Sequence, residues 1–465
     1  IVNREREIRS FTKTPFYRVI GNFKLQEKPF TAEWRAVEGS KYYNSPALYK
    51  ENGFKKKEDA ERLIAELTAE PAGPVTVTGI ENAPLLYNLA ELQNDCSKYF
   101  KISPDETLRI VQELYEKKMT TYPRTDARVL STAVAKEIHK NIGGLRSYAL
   151  ATPLVKEVLE QGTYKNIAKT RYVNDKQITD HYAIIPTGQG LNNLAGLAPT
   201  AAKVYEVIVR RFLSIFYPPA VYQKFSLTVK VKEENFFASF KVLVQEGYLK
   251  VANFSFKKEN TAPKEDKENE NESADEKCDA ELTNLLMHLK KGDSLTADTY
   301  EIKEGETSPP KRYTSGSIIL TMENAGQFIE DEELRAQIKG SGIGTSATRA
   351  EILKKLVNIE YLAQNKKTQV LTPTQMGEMI YDVVSDSIRP LLNPALTASW
   401  EKGLTMVADG VITPEEYMGK LTDFVGRRTT AVRSLNNQGV LWRQFQATEE
   451  FYQKKTKQSN AKNKE

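Results

Sequence analysis

The sequence predicts a mixed α and β protein of several domains. Three observations lead there. With 465 residues the chain is long enough for about three cores, at roughly 150 residues each. Its hydrophobic period also changes along the length: β-branched and aromatic runs come first, helical spacing covers about 81–216, and alternation resumes at Val221. Finally, residues 257–279 contain no Val, Ile, Leu or aromatic residue, which predicts a flexible charged loop inside the second β-rich stretch.

Taken in order, residues 1–10 read as the tail of a charged helix (Arg4-Glu5-Arg6-Glu7-Ile8). With Ile1 in first place instead of methionine, residues upstream are expected to have been removed. Phe16-Tyr17-Arg18-Val19-Ile20 and Val75-Thr76-Val77-Thr78-Gly79-Ile80 read as strands. Between them, Lys57 to Leu67 places Ala60, Leu63, Ile64 and Leu67 on one helical face. Leu85, Leu86, Leu89 and Leu92 repeat at helical spacing. Ser103-Pro104-Asp105-Glu106 then supplies an N-cap, a proline at the first helical position and a glutamate for a capping box. Leu108, Val111, Leu114 and Tyr115 mark that helix's buried face, and Lys117 and Lys118 suit its C-terminus, where positive charge offsets the dipole. Val204 to Phe216 reads as an amphipathic helix carrying Arg210 and Arg211. Phe225, Leu227, Val229 and Val231 alternate with polar residues, as do Val242 and Val244, which predicts an antiparallel meander. Ser308-Pro309-Pro310 marks a boundary. Thr368 to Pro373 fits a β-wing, with helices to about residue 430 and a disordered lysine-rich tail around 453–457.

Composition narrows the chemistry. Net charge is +5, and the 257–279 run holds five lysines and nine acids, so the remainder carries +9 and favours a polyanionic partner. Two distant cysteines, Cys96 and Cys278, argue against a disulfide framework and fit a reducing compartment. They also exclude a four-cysteine zinc ribbon within the chain, and His139, His181 and His288 lack ligand spacing. No apolar run approaches the roughly 20 residues that span a bilayer. There is no Gly-x-x-x-x-Gly-Lys-Ser/Thr loop for ATP, and no Asp-x-Asp pair for Mg²⁺.

The stretch with most chemistry is Met119-Thr120-Thr121-Tyr122-Pro123-Arg124-Thr125-Asp126, at the exit of the best-specified helix. A tyrosine hydroxyl, with a reference pKa of about 10, is a weak nucleophile that needs electrostatic help. Arg124 offers it, because a planar guanidinium can donate two hydrogen bonds to one phosphate. Pro123 pushes Tyr122 towards extended backbone, where side chains two apart share a face. The same residues also fit a surface turn in a chain with 22 tyrosines. In Asp180-His181-Tyr182-Ala183-Ile184-Ile185-Pro186-Thr187, His181 is either a packed or solvent-facing residue or a donor to a phosphate. Gly340-Ser341-Gly342-Ile343-Gly344-Thr345-Ser346-Ala347-Thr348-Arg349 leads into a helical pattern, and free N–H groups at such a helix start can seat a phosphate.

Together these blocks resemble the type IA DNA topoisomerases, most closely the bacterial topoisomerase III branch. The matching residues are Leu114-Tyr115-Glu116, Thr121 to Asp126, His181 to Thr187 and Gly342 to Ala350, with Pro309 to Tyr313 and Thr397 to Glu401 similar to further blocks, all in family order. The resemblance implies that Tyr122 attacks a phosphate of single-stranded DNA and holds it as a 5′-phosphotyrosine. Arg124 and His181 would serve the phosphate. Tyr115, Glu116 and Asp126 would line the site, and Thr348 and Arg349 a single-strand groove.

Strand passage on single-stranded, negatively supercoiled or catenated DNA follows, without ATP. A monomer acting in the cytoplasm at the nucleoid is expected. The implied architecture is a toroidal core with a helical base (1–15 and 311–435), a β-rich arch (16–79 and 221–310), a helical tyrosine domain (80–220) and a basic tail (436–465). The family's Toprim domain, with its acidic Mg²⁺ site, is expected to be missing, so this chain should bind DNA but cleave it poorly. A tyrosine recombinase is the wrong order, since its tyrosine follows the histidine. A non-catalytic single-strand-binding module stays open.

Overall fold

The computed structural model describes residues 1–67, 74–256, 280–289, 295–338 and 342–462, so the expected charged loop at 257–279 lies outside the described residues. Contacts divide the chain into two units. One comprises Ile1–Arg9, Leu85–Phe212 and Pro310–Glu465, and the other Ser10–Pro84 and Leu213–Pro309. The division after Pro309 falls at the Ser308-Pro309-Pro310 signal.

The second unit is one antiparallel sheet. Its strands are β1 (Pro15–Leu25), β2 (Lys28–Arg35), β3 (Leu48–Lys50), β4 (Gly53–Phe54), β5 (Pro74–Glu81), β6 (Ala220–Val231), β7 (Glu234–Gln245) and β8 (Thr296–Glu306). They lie in the order β3-β4-β1-β2-β7-β6-β5, with β8 added along β1. The alternation seen from Phe225 to Val231 is what fixes register. Phe225 faces Phe240, Leu227 faces Ala238 and Val229 faces Phe236, so both apolar rows turn to one buried face. Ala60 and Leu63 of the helix Lys57–Glu66 join that core. Trp34 is fully buried, and its indole N–H donates to Glu234 Oε2 at 2.6 Å, which removes the cost of an unpaired donor. Strand β5 pairs with β6, its partner far along the chain, so residues 85–212 are inserted between two neighbours of one sheet.

Within the first unit, Asn88 Oδ1 caps the helix Leu89–Phe100 by accepting from Glu91 N at 2.9 Å. Helical spacing had suggested a start at Leu85. The cap starts the helix later, at Leu89, and Tyr87 forms a bridge to Ile184 instead. Ser103 caps the helix Pro104–Glu116 as its sequence predicts. The helix Pro199–Ser214 is buried along most of its length, its polar side included. Val204, Tyr205, Val207, Ile208, Val209 and Phe212 are all fully buried, and the arginines that suggested a wet face are paired. Arg210 meets buried Glu206 at 2.7 Å and Arg211 meets Asp95 at 3.1 Å.

The stretch expected to be a disordered tail forms the helix Gln438–Lys462. It is anchored by Tyr452, whose hydroxyl donates to the buried Glu378 at 2.7 Å. Glu378 also holds Arg9 of the helix Val2–Ser10 at 2.7 Å, while Glu5 of that helix meets Arg312 at 2.6 Å. Polar anchors this specific leave no trace in hydrophobic periodicity. Among the described residues no helix is long and apolar enough to cross a membrane.

Candidate active site

Tyr122 leaves the helix Pro104–Glu116 through a tight exit. Lys118 turns the chain at φ +60°, uncommon for a residue with a side chain, and Met119 N closes onto Leu114 O at 2.9 Å. From there the segment is zipped to residues 181–187. Thr121 N donates to Ile185 O, and Thr187 N to Met119 O, both at 3.0 Å. The Thr121 hydroxyl donates to Ala183 O at 3.0 Å and accepts from Ile185 N at 2.9 Å. The Thr125 hydroxyl donates to His181 O at 2.8 Å and accepts from Ala127 N at 3.1 Å. Beyond this ladder Gly190, at φ +69°, lies directly on the helix exit. A Cβ there would run into the Lys117 carbonyl.

The ladder sets the geometry of the side chains. The rings of Tyr122 and His181 lie 4.4 Å apart, tilted by 43°. Tyr115, from the last turn of the helix, meets Tyr122 edge-on at 5.4 Å. Tyr115, Glu116, Tyr122 and His181 line one cleft of about 580 Å³, which also takes in Lys118, Thr120, Tyr182 and Gln189. Glu116 accepts from Gln112 Nε2 at 3.0 Å. Arg124 is exposed and is not among the residues lining the cleft. It makes no ion pair with any described residue, so its guanidinium is free to meet an anion. A hydroxyl and an imidazole are thereby carried in one cleft on two segments tied together by backbone hydrogen bonds, while the expected guanidinium of Arg124 lies outside its lining. A hydroxyl and an imidazole so placed have the chemistry to attack and orient a phosphodiester.

Asp126 and Arg349 stand apart from that cleft. Arg349 is 1% exposed, its Nη1 lies 2.9 Å from Asp126 Oδ1, and its Nε donates to Ile343 O at 3.2 Å. Thr348 Oγ1 accepts from Thr345 N at 2.9 Å. Both residues expected at a strand groove thus make their described polar contacts within the protein. Glu323 joins the same cluster, accepting from Asn88 Nδ2 at 2.5 Å, while Asn88 Nδ2 also donates to Asp126 O at 3.1 Å. Burial pushes the Glu323 carboxyl above its usual range. Arg349 pulls it down and the like charge of Asp126 pushes it further up. Sequence reasoning missed Asn88 and Glu323. A cap signal could have flagged Asn88, but nothing local marks a glutamate whose importance comes from burial beside distant charges.

Asp126 and Glu323 surround Arg349 and do not fit a Mg²⁺ ion. Among the described residues no group of three or more His, Cys, Asp or Glu side chains gathers as a metal site.

A family model described as DNA topoisomerase matches residues 1–419. The chain belongs to the DNA topoisomerase family. DNA topoisomerase 3 of Bacillus licheniformis is 29% identical over 443 residues, an alignment covering 94% of this chain and 55% of that protein. DNA topoisomerase 3 of Bacillus subtilis is 30% identical over 440 residues, covering 93% and 55%. The chain therefore spans about half the length of these relatives. Full-length topoisomerase I from Thermotoga maritima shares the fold, with a TM-score of 0.59 at 22% identity over 93% of this chain and 61% of that one. These matches bear out the type IA topoisomerase resemblance and the mixed α and β architecture read from the sequence.

Proposed function

We propose that the full-length protein passes DNA strands through a transient single-strand break, with Tyr122 as the nucleophile. Tyr122 Oη forms a bond to the scissile phosphorus as the bond from phosphorus to the 3′ oxygen breaks. The phenolic proton leaves and the 3′ oxygen gains one, so atoms and charge balance. Resealing is the reverse attack by the 3′ hydroxyl. The phosphotyrosine bond conserves the energy of the phosphodiester, and ATP is not needed.

The observation that carries this reading is the Tyr122–His181 pair, 4.4 Å apart in an open cleft and held by the ladder between two family motifs. His181 stands where it can orient the phosphate or carry a proton, and the free Arg124 can bind phosphate in bidentate fashion. Single-stranded DNA is the substrate this geometry suits, because a phosphate must enter the cleft without a paired strand. Supercoiled or catenated duplexes are its natural sources, and a monomer at the nucleoid suffices. Residues 1–465 alone are assigned DNA binding with little cleavage.

The test uses the full-length protein and single-stranded DNA labelled at its 3′ end. After denaturation, the label is expected on the peptide containing Tyr122, and Tyr122→Phe should abolish it. Binding without any covalent label would instead favour a non-catalytic single-strand-binding module. Label retained by Tyr122→Phe would remove the nucleophile assignment.

A further inference from the structure

The cleft beside Tyr122 is larger than phosphate chemistry requires. Its volume of about 580 Å³ suits a nucleoside, and ligand sites commonly hold about 300–1,000 Å³. Beside the hydroxyls, His181 and Lys118 that suit a phosphate, its walls carry aromatic faces. Tyr115 is 39% exposed, and Tyr182 adds a half-buried ring. Thr120 also lines the cleft, yet it is 1% exposed and its hydroxyl finds no hydrogen-bond partner among the described residues. A buried polar group without a partner costs stability unless something arrives to satisfy it. Lys118 and Gln189, both exposed, stand at the rim.

We propose that this cleft binds the first nucleoside on the 5′-phosphotyrosine side of the break, stacking its base on Tyr115 and Tyr182 and reading its edge with Thr120 and Gln189. The inference rests on Tyr122 being the nucleophile. Once Tyr122 carries the 5′ phosphate, the sugar attached to that phosphate cannot lie more than one nucleotide's reach from Tyr122 Oη. The cleft is the cavity that Tyr122 itself lines, and its aromatic walls offer the sequence-tolerant stacking that single strands use. Because Tyr115, Thr120, Tyr182 and Gln189 flank the same hydrogen-bonded ladder, the site stays with the phosphotyrosine however far the 3′ end moves. A hydroxyl that can donate or accept, next to an amide, gives modest base preference. Tight sequence specificity would need more contacts.

The experiment uses the full-length protein and oligonucleotides with 2-aminopurine or an abasic site placed singly around a mapped break. In the Tyr122→Phe background, which holds uncleaved DNA, 2-aminopurine just 3′ of the scissile phosphate should be quenched on binding. Tyr115→Ala should relieve that quenching, and Tyr115→Phe, which keeps the ring, should retain it. With Tyr122 present, an abasic site at that position should lower adduct yield about tenfold in wild type and hardly at all in Tyr115→Ala, since loss of stacking is then already counted. Thr120→Val removes a hydroxyl with no partner to lose, so it should leave melting temperature intact while flattening base preference at that position. Independent, multiplying effects of the abasic site and Tyr115→Ala would overturn the proposal, as would quenching strongest at any other position. If wild type forms no adduct on intact DNA, the nucleophile reading fails and this one falls with it. If adduct forms and only the position-specific effects are absent, the cleft assignment alone is wrong.

Discussion

Asp126→Ala should loosen the contact between the tyrosine-bearing segment and the helix at Arg349, and by an amount that depends on pH. The change removes the 2.9 Å partner of a guanidinium that is 1% exposed. Truncating one member of a buried pair costs about 3–5 kcal/mol when the other charge is left stranded. Arg349 is not wholly stranded, because its Nε keeps Ile343 O at 3.2 Å and Glu323 lies in the same cluster. Burial and the charge of Asp126 both hold the Glu323 carboxyl above its ordinary range. Without Asp126 one of those causes disappears, so Glu323 ionises more readily and takes over part of the pairing. Asp126 is 30% exposed, so the expected cost is about 2 kcal/mol at pH 8, and it grows as the pH falls and Glu323 takes up a proton that stops it substituting.

The wild-type sign is opposite. A carboxyl whose folded pKa is raised stabilises the fold at low pH, and that contribution is lost as pH rises through the folded pKa. Glu323→Gln should therefore stabilise at pH 8 and be neutral near pH 4. Native-state hydrogen exchange in peptides covering 85–100 and 315–325 reads these changes directly. A loss of 2 kcal/mol appears as roughly thirtyfold faster opening at fixed pH. Exchange within threefold of wild type at both pH values would refute the reasoning. So would an Asp126→Ala/Arg349→Met double variant opening faster than Asp126→Ala alone, because removing the stranded charge should restore stability.

Two further outcomes follow from buried polar anchors. Thr125→Val, at a site 4% exposed, deprives His181 O of its donor and Ala127 N of its acceptor. It should cost about 1–2 kcal/mol by thermal melting and lower adduct yield with single-strand affinity unchanged. Thr125→Ser, which keeps the hydroxyl, should restore both, and normal adduct formation by the valine variant would count against the ladder's positioning role. Glu378→Ala removes the 2.7 Å partner of Arg9 and one acceptor of Tyr452 at a site 1% exposed; Arg9 keeps Glu5 at 3.8 Å and Tyr452 keeps Pro373 O at 3.0 Å, so a loss of about 2–3 kcal/mol is expected. Tryptic cleavage after Arg6 or Arg9 should then precede other cuts, and an unchanged cutting order would argue against this anchor.

What the sequence disclosed depended on whether the signal was local. Ser103 before Pro104 predicts a helix start because capping involves neighbours, and the cap is present. Alternation from Phe225 to Val231 predicts a half-buried strand for the same reason. Arg210 and Arg211 misled because a charge suggests water until its partner is known, and the partners, Glu206 and Asp95, are found by packing. The nearness of Tyr122 and His181 could be inferred only from family motifs, since no local rule links residues on separate segments. Thr121 and Thr125, which hold those segments together, belong to a family block but carry no local sign of that bridging role. Their role lies in accepting and donating at once, and it becomes visible only when the second strand is in place.

The site is held by two kinds of connection that differ in how they would yield. Tyr122 and His181 are joined through backbone bonds at Met119, Ile185 and Thr187 and through the hydroxyls of Thr121 and Thr125. Parting them would break several bonds together and expose buried Ala183, Ile184 and Ile185. Asp126 and Arg349, by contrast, are joined by one ion pair with Asn88 and Glu323 beside it. Charged groups regain hydration when such a contact opens, so much of the lost attraction is returned by water. A load that pulls the tyrosine-bearing segment from Arg349 should therefore open the charged contact before it disturbs the ladder. Nucleophile and histidine would then travel as one piece, with their 4.4 Å spacing intact for the return reaction.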